Sequence, residues 1–588
     1  MIKMMIMLFN YITIRMFEFI QKNSLGWQVG RLFAHLETPP LLIIVLLLII
    51  WFFTQIFQAF LLANNFKKRS VLSKMQSQPI DVIVVGSGAC GGLVAKELSD
   101  HGFSVIMIES GKRFQPSVDL SNSEANSGKI QWTEPRVYTG KHQVIPKSGM
   151  GVGGGTLPWL GLMPRFHQAD FKTYSSEGVG EDWPLTYDDL APYYLKIERD
   201  FGVAGDCGPF SPESYSLPMP AHRMSWHAQV LAEGARKAGA HPFVPPTAIN
   251  SVEYDGRPAC IYCGWCGSGC PTGAKATSQG TYLAKAEAAG VQVISEAFVH
   301  RVNYDPSAGR VTGVAYLDSA GKEHEVSARL VILTAHAMET PRLLLLSACP
   351  TFPDGLANSS GTVGKYLLSH PTWQVFGTFD EPINAYKGFQ MGQVMVQDYY
   401  KPNPRNDYAR GFVLLSYMMT PVTYANLSGD FVGADFKQFL SDYSHTAAWW
   451  AHAEGLPSET NTVTLDPQVK DHRGIPVARL TTEWLDNDIK VAAAGRDKAA
   501  ELMEASGARK VRVGLNYGAH AMGTCRMGNN PASSVVNEYC QSHDIKNLFI
   551  CDTSVFVTGS GLNPTLTAMA IASRAVDYIA TISQQGEL

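Results

Sequence analysis

One short stretch limits the choice of fold more than any other. Asp81 to Val85 has a buried-strand pattern, Gly86-Ser87-Gly88-Ala89-Cys90-Gly91 follows at once, and a helical pattern then runs through Leu93, Ala95 and Leu98. In a strand, turn and helix of this kind the first glycine makes the tight turn and the second lets backbone approach a pyrophosphate. The third lets the helix pack closely on the strand, and the helix N-terminus then faces the phosphates. A second strand, Ser104 to Ile108, ends at Glu109, placed to accept a hydrogen bond from an adenosine ribose hydroxyl. A glycine turn alone is a weak signal, but both strands and the acid together predict a dinucleotide site in a Rossmann-like α/β domain. The position after Glu109 is not basic, which disfavours NADP; FAD and NAD both stay open on these residues.

The chain has 588 residues, 45% hydrophobic and 17% charged, enough to bury a large core in two or three folding units or in two interwoven ones. A formal net charge of -4, with no basic block interleaved with aromatics, excludes a nucleic-acid partner. The N-terminal part has a different composition. No charged residue lies between Glu37 and Lys67, and Leu41 to Phe53 is continuously apolar. Residues 41–63 are long enough for a helix to cross a bilayer core, which takes about 20 residues, so a single-pass membrane anchor is expected after an N-terminal segment 1–40. A signal peptide and a true start at Met75 are the rival readings. Lys67, Lys68 and Arg69 abut the span, so the positive-inside tendency favours a catalytic part on the cytoplasmic face.

Near the C-terminus stand His520-Ala521-Met522-Gly523-Thr524-Cys525-Arg526-Met527-Gly528 and, further on, Asn563-Pro564-Thr565 opening a helical run to Ile579. With the glycine turn, Gly149 to Thr156, Pro341 to Ser347 and Cys551 to Thr567, these segments resemble the glucose-methanol-choline (GMC) oxidoreductase family over nearly all of residues 79–588. The resemblance implies a Rossmann-like FAD domain interleaved with a sheet-based α+β substrate domain, and hydride transfer from an alcohol carbon to flavin N5. It implies that His520 is the active-site base and Asn563 its partner, where other members carry a second His. The chemistry agrees: a carbinol gives up hydride readily only as its hydroxyl proton leaves, so a neutral imidazole takes the proton and an amide donates to the developing alkoxide. By the same resemblance Asp552 would bond the ribityl or pyrophosphate region, Val299 would offer backbone to the adenine, and Gly153, Gly154 and Gly155 would pass close to the isoalloxazine. His336 stands where many relatives place a glycine near the flavin, and is expected to be a buried structural histidine rather than a second base.

Four cysteines, Cys260, Cys263, Cys266 and Cys270, form a Cys-x2-Cys-x2-Cys-x3-Cys run followed by Pro271, the spacing of a ferredoxin-type ligand set. Zinc fits less well, because its structural sites draw on two separated knuckles, and disulfides across two-residue gaps would be strained. A subgroup of the family resembling gluconate, fructose and glucose dehydrogenases carries a three-iron cluster on the spacing that Cys260, Cys266 and Cys270 reproduce. Cys263 is extra, so 3Fe-4S and 4Fe-4S both stay open. Such an iron-sulfur cluster would pass electrons from flavin to a cytochrome or quinone, and a membrane anchor would put the enzyme beside that acceptor. Long-chain alcohol oxidases of the family also have a Cys-rich stretch here, so an oxidase is the alternative.

The expected FAD-binding part comprises 79–165, 220–375 and 515–588, with the cysteine-rich loop at 260–271; the substrate part comprises 166–219 and 376–514. Aromatic-rich alternating segments such as Phe412 to Tyr417 suit one wall of a substrate cavity. Tyr417, Trp449 and Trp450 are there either as core or to stack on a sugar ring or apolar chain of a small alcohol or sugar substrate.

Overall fold

Val82–Val85, Val105–Ile108 and Leu330–Leu333 are unbroken runs of Val, Ile, Leu and Met, buried along their whole length. Parallel strands covered on both faces read this way. They lie in a five-stranded sheet ordered Leu548–Ile550, Leu330–Leu333, Val82–Val85, Val105–Ile108, Gln292–Ile294. Every pairing in it is parallel, with Val82 opposite both Val105 and Leu330. The structure is a computed structural model and describes residues 80–588 except 121–122, 143–147, 210, 212–214, 419, 427–428 and 430. The expected anchor at 41–63 lies outside the described residues, and among those no helix is long and apolar enough to cross a membrane.

The helix Ala89–Asp100 leaves the first strand through the glycine turn, and Gly86 takes a φ of +101° that disfavours any side chain. Helix Thr565–Gln584, buried on nearly every side, packs against Ala89–Asp100 and against Tyr187–Phe201. Helices over a parallel sheet make the α/β half that was expected.

A second five-stranded sheet is antiparallel, ordered Met391–Val396, Phe412–Tyr417, Thr446–Ala453, Leu368–Thr378, Lys510–Met522. One face packs on helices Asp486–Ala505 and Trp226–Lys237, burying Val375, Phe412, Leu414 and Trp449. Because side chains alternate across a pleat, Trp450 points to the other face, into the cavity described below with Tyr417 and Tyr517. Trp449 is therefore core, and Trp450 and Tyr417 are wall.

The expected domain limits differ from the observed packing. Helix Tyr187–Phe201 sits on the dinucleotide half, with Tyr194 Oη 3.0 Å from Thr567 Oγ1 and Tyr193 Oη donating to Asp577 at 2.9 Å. Helix Trp226–Lys237, expected in the FAD part, packs instead on the antiparallel sheet. The limits at 375/376 and 514/515 fall inside the continuous strands Leu368–Thr378 and Lys510–Met522. The apolar stripes of these helices find their partners through the tertiary fold, so position along the chain does not sort them, and Pro79–Leu588 forms one compact unit.

Candidate active site

The glycine turn is held from behind by Glu109. Its Oε2 accepts Ser87 N (3.0 Å) and Ser87 Oγ (2.7 Å), and its Oε1 accepts Gly111 N (2.8 Å). Burial raises its pKa against those donors. A Cβ on Gly91 would stand 2.1 Å from the Gly86 carbonyl oxygen, so helix and strand touch there as a third motif glycine requires. A Cβ on Gly88 would meet nothing within 4 Å. Gly88 is also the N-cap and offers no side-chain bond to the first helical N–H groups, which leaves them directed outward at an open space.

That space belongs to a cavity of about 690 Å³ lined from both halves of the molecule. Gly86, Gly88, Glu109, Gly154, Gly155, Val299, Asp552, His520 and Asn563 all border it. Gly153 lies one step behind the wall, its N–H donating to Ser87 Oγ at 3.0 Å, while Gly154 approaches so closely that its Cβ would come within 2.8 Å of Gly88 Cα. Asp552 spends its carboxylate inside the protein: Oδ1 accepts Ser554 N (2.8 Å), and Oδ2 accepts His336 N (2.9 Å) and Thr340 Oγ1 (2.6 Å). Four buried polar atoms of the lining residues, Trp132 Nε1, His336 Nδ1, Trp450 Nε1 and Asn563 Oδ1, have no partner among the described residues. Such atoms call for a ligand or solvent, and together with the open phosphate cradle they fit a bound dinucleotide.

His520 stands where the antiparallel ladder slips, between Ala519 and Met522, with a φ of +55°. Bulges of this kind re-aim a side chain, and strained backbone gathers at functional sites. Its Nε2 is 3.2 Å from Asn563 Nδ2. Its Nδ1 is 3.0 Å from His370 Nδ1 and 3.1 Å from His452 Nε2. Burial drives the His520 pKa well below the usual histidine value, and His370 and His336 beside it push the same way. Burial likewise brings His370 and His336 down to about 4. His336 opens helix His336–Leu346 and borders the cavity half-buried, with its Nδ1 turned to no protein donor or acceptor among the described residues.

Sequence reasoning did not find His370 and His452. Each is a single histidine in a strand of otherwise uncharged residues, and only the pairing of Leu368–Thr378 with both Thr446–Ala453 and Lys510–Met522 brings them to His520. Behind them, Arg410 binds Asp170 (2.7 Å), Glu177 (2.5 Å) and Glu454 (2.8 Å), all shielded from solvent. Asp170 in turn accepts Tyr400 Oη (2.7 Å) and Ser560 Oγ (3.1 Å), which anchors the loop Gly559–Gly561 whose carbonyls hold His370 and His452.

The cysteine loop abuts the same cavity through Gly267 and Ser268. Cys266 and Cys270 are buried, Cys260 and Cys263 half-buried, and all four are free thiols. Cys260 Sγ accepts Tyr262 N and Cys270 Sγ accepts Lys275 N, both at 3.3 Å. Burial pushes the Cys260 thiol up to about 11 and the Cys266 thiol up to about 12. Lys275, 2% exposed, donates to the carbonyls of Leu157 (2.7 Å), Trp159 (2.8 Å) and Cys266 (2.7 Å), tying the glycine-rich cavity loop to the cysteine loop.

A dinucleotide cradle and a histidine held neutral share one cavity, an arrangement that suits an oxidoreductase with a bound dinucleotide cofactor. Comparison with known proteins narrows the class. Residues 80–372 and 457–572 match the N- and C-terminal parts of the GMC oxidoreductases. The chain is 33% identical over 525 residues to 2-methyl-1,2-propanediol dehydrogenase of Mycolicibacterium austroafricanum, covering 85% of this chain and 95% of that one. It is 30% identical to the fructose dehydrogenase large subunit of Gluconobacter japonicus, covering 86% and 98%. Among solved structures, pyridoxine 4-oxidase from Mesorbium loti superposes with a TM-score of 0.62 at 18% identity, over 85% of this chain and 99% of that one, and so shares the fold. The chain belongs to the GMC oxidoreductase family, and it is an FAD-dependent enzyme.

Proposed function

We propose that the enzyme is a dehydrogenase that oxidises a CH–OH group of a small alcohol, polyol or sugar, with His520 as base and Asn563 as its partner. The observation that carries this reading is the single cavity in which His520 Nε2 and Asn563 meet the open space above Gly88. FAD would be held by Gly86, Gly88, Glu109, Gly154, Gly155, Val299 and Asp552 at the cavity wall, with Gly91 and Gly153 shaping the turn from behind, and would supply the hydride acceptor. The neutral His520 imidazole has a lone pair for the hydroxyl proton, and the Asn563 amide donates to the oxygen as negative charge grows on it. Trp450, Tyr417 and Tyr517 form a wall that keeps water from the reacting carbon and offers faces to a sugar ring or apolar chain. Trp450 Nε1 is buried without a partner and is free to bond a substrate oxygen.

Cys260, Cys263, Cys266 and Cys270 are assigned to an iron-sulfur cluster of the 3Fe-4S or 4Fe-4S type, which when bound passes electrons on singly to a cytochrome or quinone. The donor chemistry fits: four free thiols in one loop, two of them accepting backbone N–H groups, lie beside a buried cation, Lys275, that would offset thiolate charge. The apolar stretch 41–63 would anchor the enzyme at the membrane, with the catalytic part on the cytoplasmic face. Purification of the full chain in detergent without oxygen, followed by flavin, iron and acid-labile sulfide analysis and EPR, tests this. Iron and sulfide in several-fold excess over flavin, with turnover on artificial acceptors, supports the relay. Flavin without iron, with peroxide release in air, would replace it by an oxidase.

A further inference from the structure

His370 and His452 have unambiguous acceptors on their far sides. His370 Nε2 faces the carbonyl oxygens of Ser560 (2.6 Å) and Gly559 (3.2 Å), and His452 Nδ1 faces that of Gly561 (2.8 Å). A carbonyl accepts and never donates, so those two ring nitrogens carry the protons. In the neutral rings the remaining nitrogens, His370 Nδ1 and His452 Nε2, are lone pairs, and both point at one atom, His520 Nδ1, from 3.0 and 3.1 Å. The ring planes lie at 77° and 81° to that of His520. Two lone pairs around one nitrogen require a hydrogen on it.

We propose that His370 and His452 are positioning residues that lock His520 in the Nδ1–H tautomer, leaving the Nε2 lone pair as the base. This rests on the reading of His520 as the proton acceptor and specifies which nitrogen acts. Asn563 Nδ2, a donor 3.2 Å from Nε2, agrees with a bare nitrogen there. In the reaction Nε2 would take the substrate O–H proton, and bound FAD would supply the acceptor for the hydride that leaves the carbinol carbon as the carbonyl forms. The Nδ1–H stays in place, and its two acceptors favour the imidazolium that results. All three histidines, and His336 beside His520 on helix His336–Leu346, are held in the neutral form by desolvation.

Three imidazoles are also a metal-binding set, and their ligand atoms lie within 4.8 Å of one another. Both contacts to His520 Nδ1 are of hydrogen-bond length, and elemental analysis separates the two arrangements.

The test is nitrogen-15 NMR of the FAD-loaded protein labelled in histidine, with His520→Gln and His370→Gln used for assignment, alongside elemental analysis. His520 Nδ1 protonated and Nε2 bare is the expected result. Nε2 protonated, or a stoichiometric metal that His370→Gln and His452→Gln release, would overturn the proposal. This readout needs no turnover, so it fails or succeeds separately from the alcohol-oxidation reading, which flavin reduction by substrate decides. Kinetics add a second check. The double variant His370→Leu/His452→Leu should lower kcat on the order of 100-fold with KM little changed. His370→Gln/His452→Gln, which keeps an acceptor at each position, should recover at least tenfold of that loss. Equal rates in the Leu and Gln pairs would refute the positioning role.

Discussion

The same substitution at two glycines of one turn should fail for different reasons. In Gly91→Ala the new methyl would stand 2.1 Å from Gly86 O and 2.7 Å from Thr334 Oγ1. A carbon and a carbonyl oxygen need about 3.2 Å, so helix Ala89–Asp100 must retreat from its strand by about 1 Å. That motion disturbs the packing of the helix on the sheet, where Val84, Leu93 and Val94 are fully buried, and overpacking of this kind costs roughly 1–3 kcal/mol or more. Gly88→Ala meets open space instead. Its loss of a small N-cap and its gain from a stiffer unfolded chain nearly cancel, so the apoprotein should change by less than about 1 kcal/mol. The methyl would intrude only where the cofactor's phosphates approach, weakening FAD at least about tenfold, or roughly 1.4 kcal/mol. Thermal unfolding with and without added FAD, with flavin content measured on the same samples, separates the two. An apo Gly88→Ala as destabilised as Gly91→Ala, or a Gly88→Ala that keeps full flavin affinity, would refute this assignment of the cradle.

Other outcomes follow from the buried charges and the cavity. Arg410→Met strands Asp170, Glu177 and Glu454, of which burial already pushes Glu454 up to about 7; the loss should be roughly 3–5 kcal/mol by denaturant unfolding, and smaller at pH 5 than at pH 8. His227, buried and brought down to about 4 from the usual 6.5 by desolvation, should contribute stability that is full above pH 6.5 and lost as pH falls towards 4. His227→Gln should therefore flatten the acid limb of stability by about 1.4 kcal/mol per pH unit in that window. Because the His520 pKa is depressed, the acid limb of flavin reduction should lie below pH 6.5, and a limb above it would contradict a buried neutral base. Cys266→Ser should lower the iron content of the purified protein while leaving its flavin content intact.

The dinucleotide half was legible because its signals are local. Gly86, Gly88, Gly91 and Glu109 sit in one strand-turn-helix-strand unit, and the steric demand that makes each a glycine or an acid acts between near neighbours in sequence. His520 and Asn563 were legible through their motif context. His370 and His452 were not, because what makes them matter is the register of three strands drawn from distant parts of the chain. The same cause explains the misplaced domain limits: helices Tyr187–Phe201 and Trp226–Lys237 each carry an apolar stripe, and a stripe does not say which sheet or helix it will meet. Trp449 and Trp450 were indistinguishable as residue types, and the pleat alone sends one to the core and the other to the cavity.

The most direct measurement mixes the FAD-loaded enzyme without oxygen with a panel of diols, polyols and sugars, including 2-methyl-1,2-propanediol and fructose, and follows the visible flavin band. At least one compound should bleach it, with a primary deuterium isotope effect at the carbinol C–H and a rate lowered by about 100-fold or more in His520→Gln. A flavin that no alcohol or sugar reduces, or one reduced as fast in His520→Gln as in the unaltered enzyme, would contradict the assignment of His520 as the base of an alcohol-oxidising flavoenzyme.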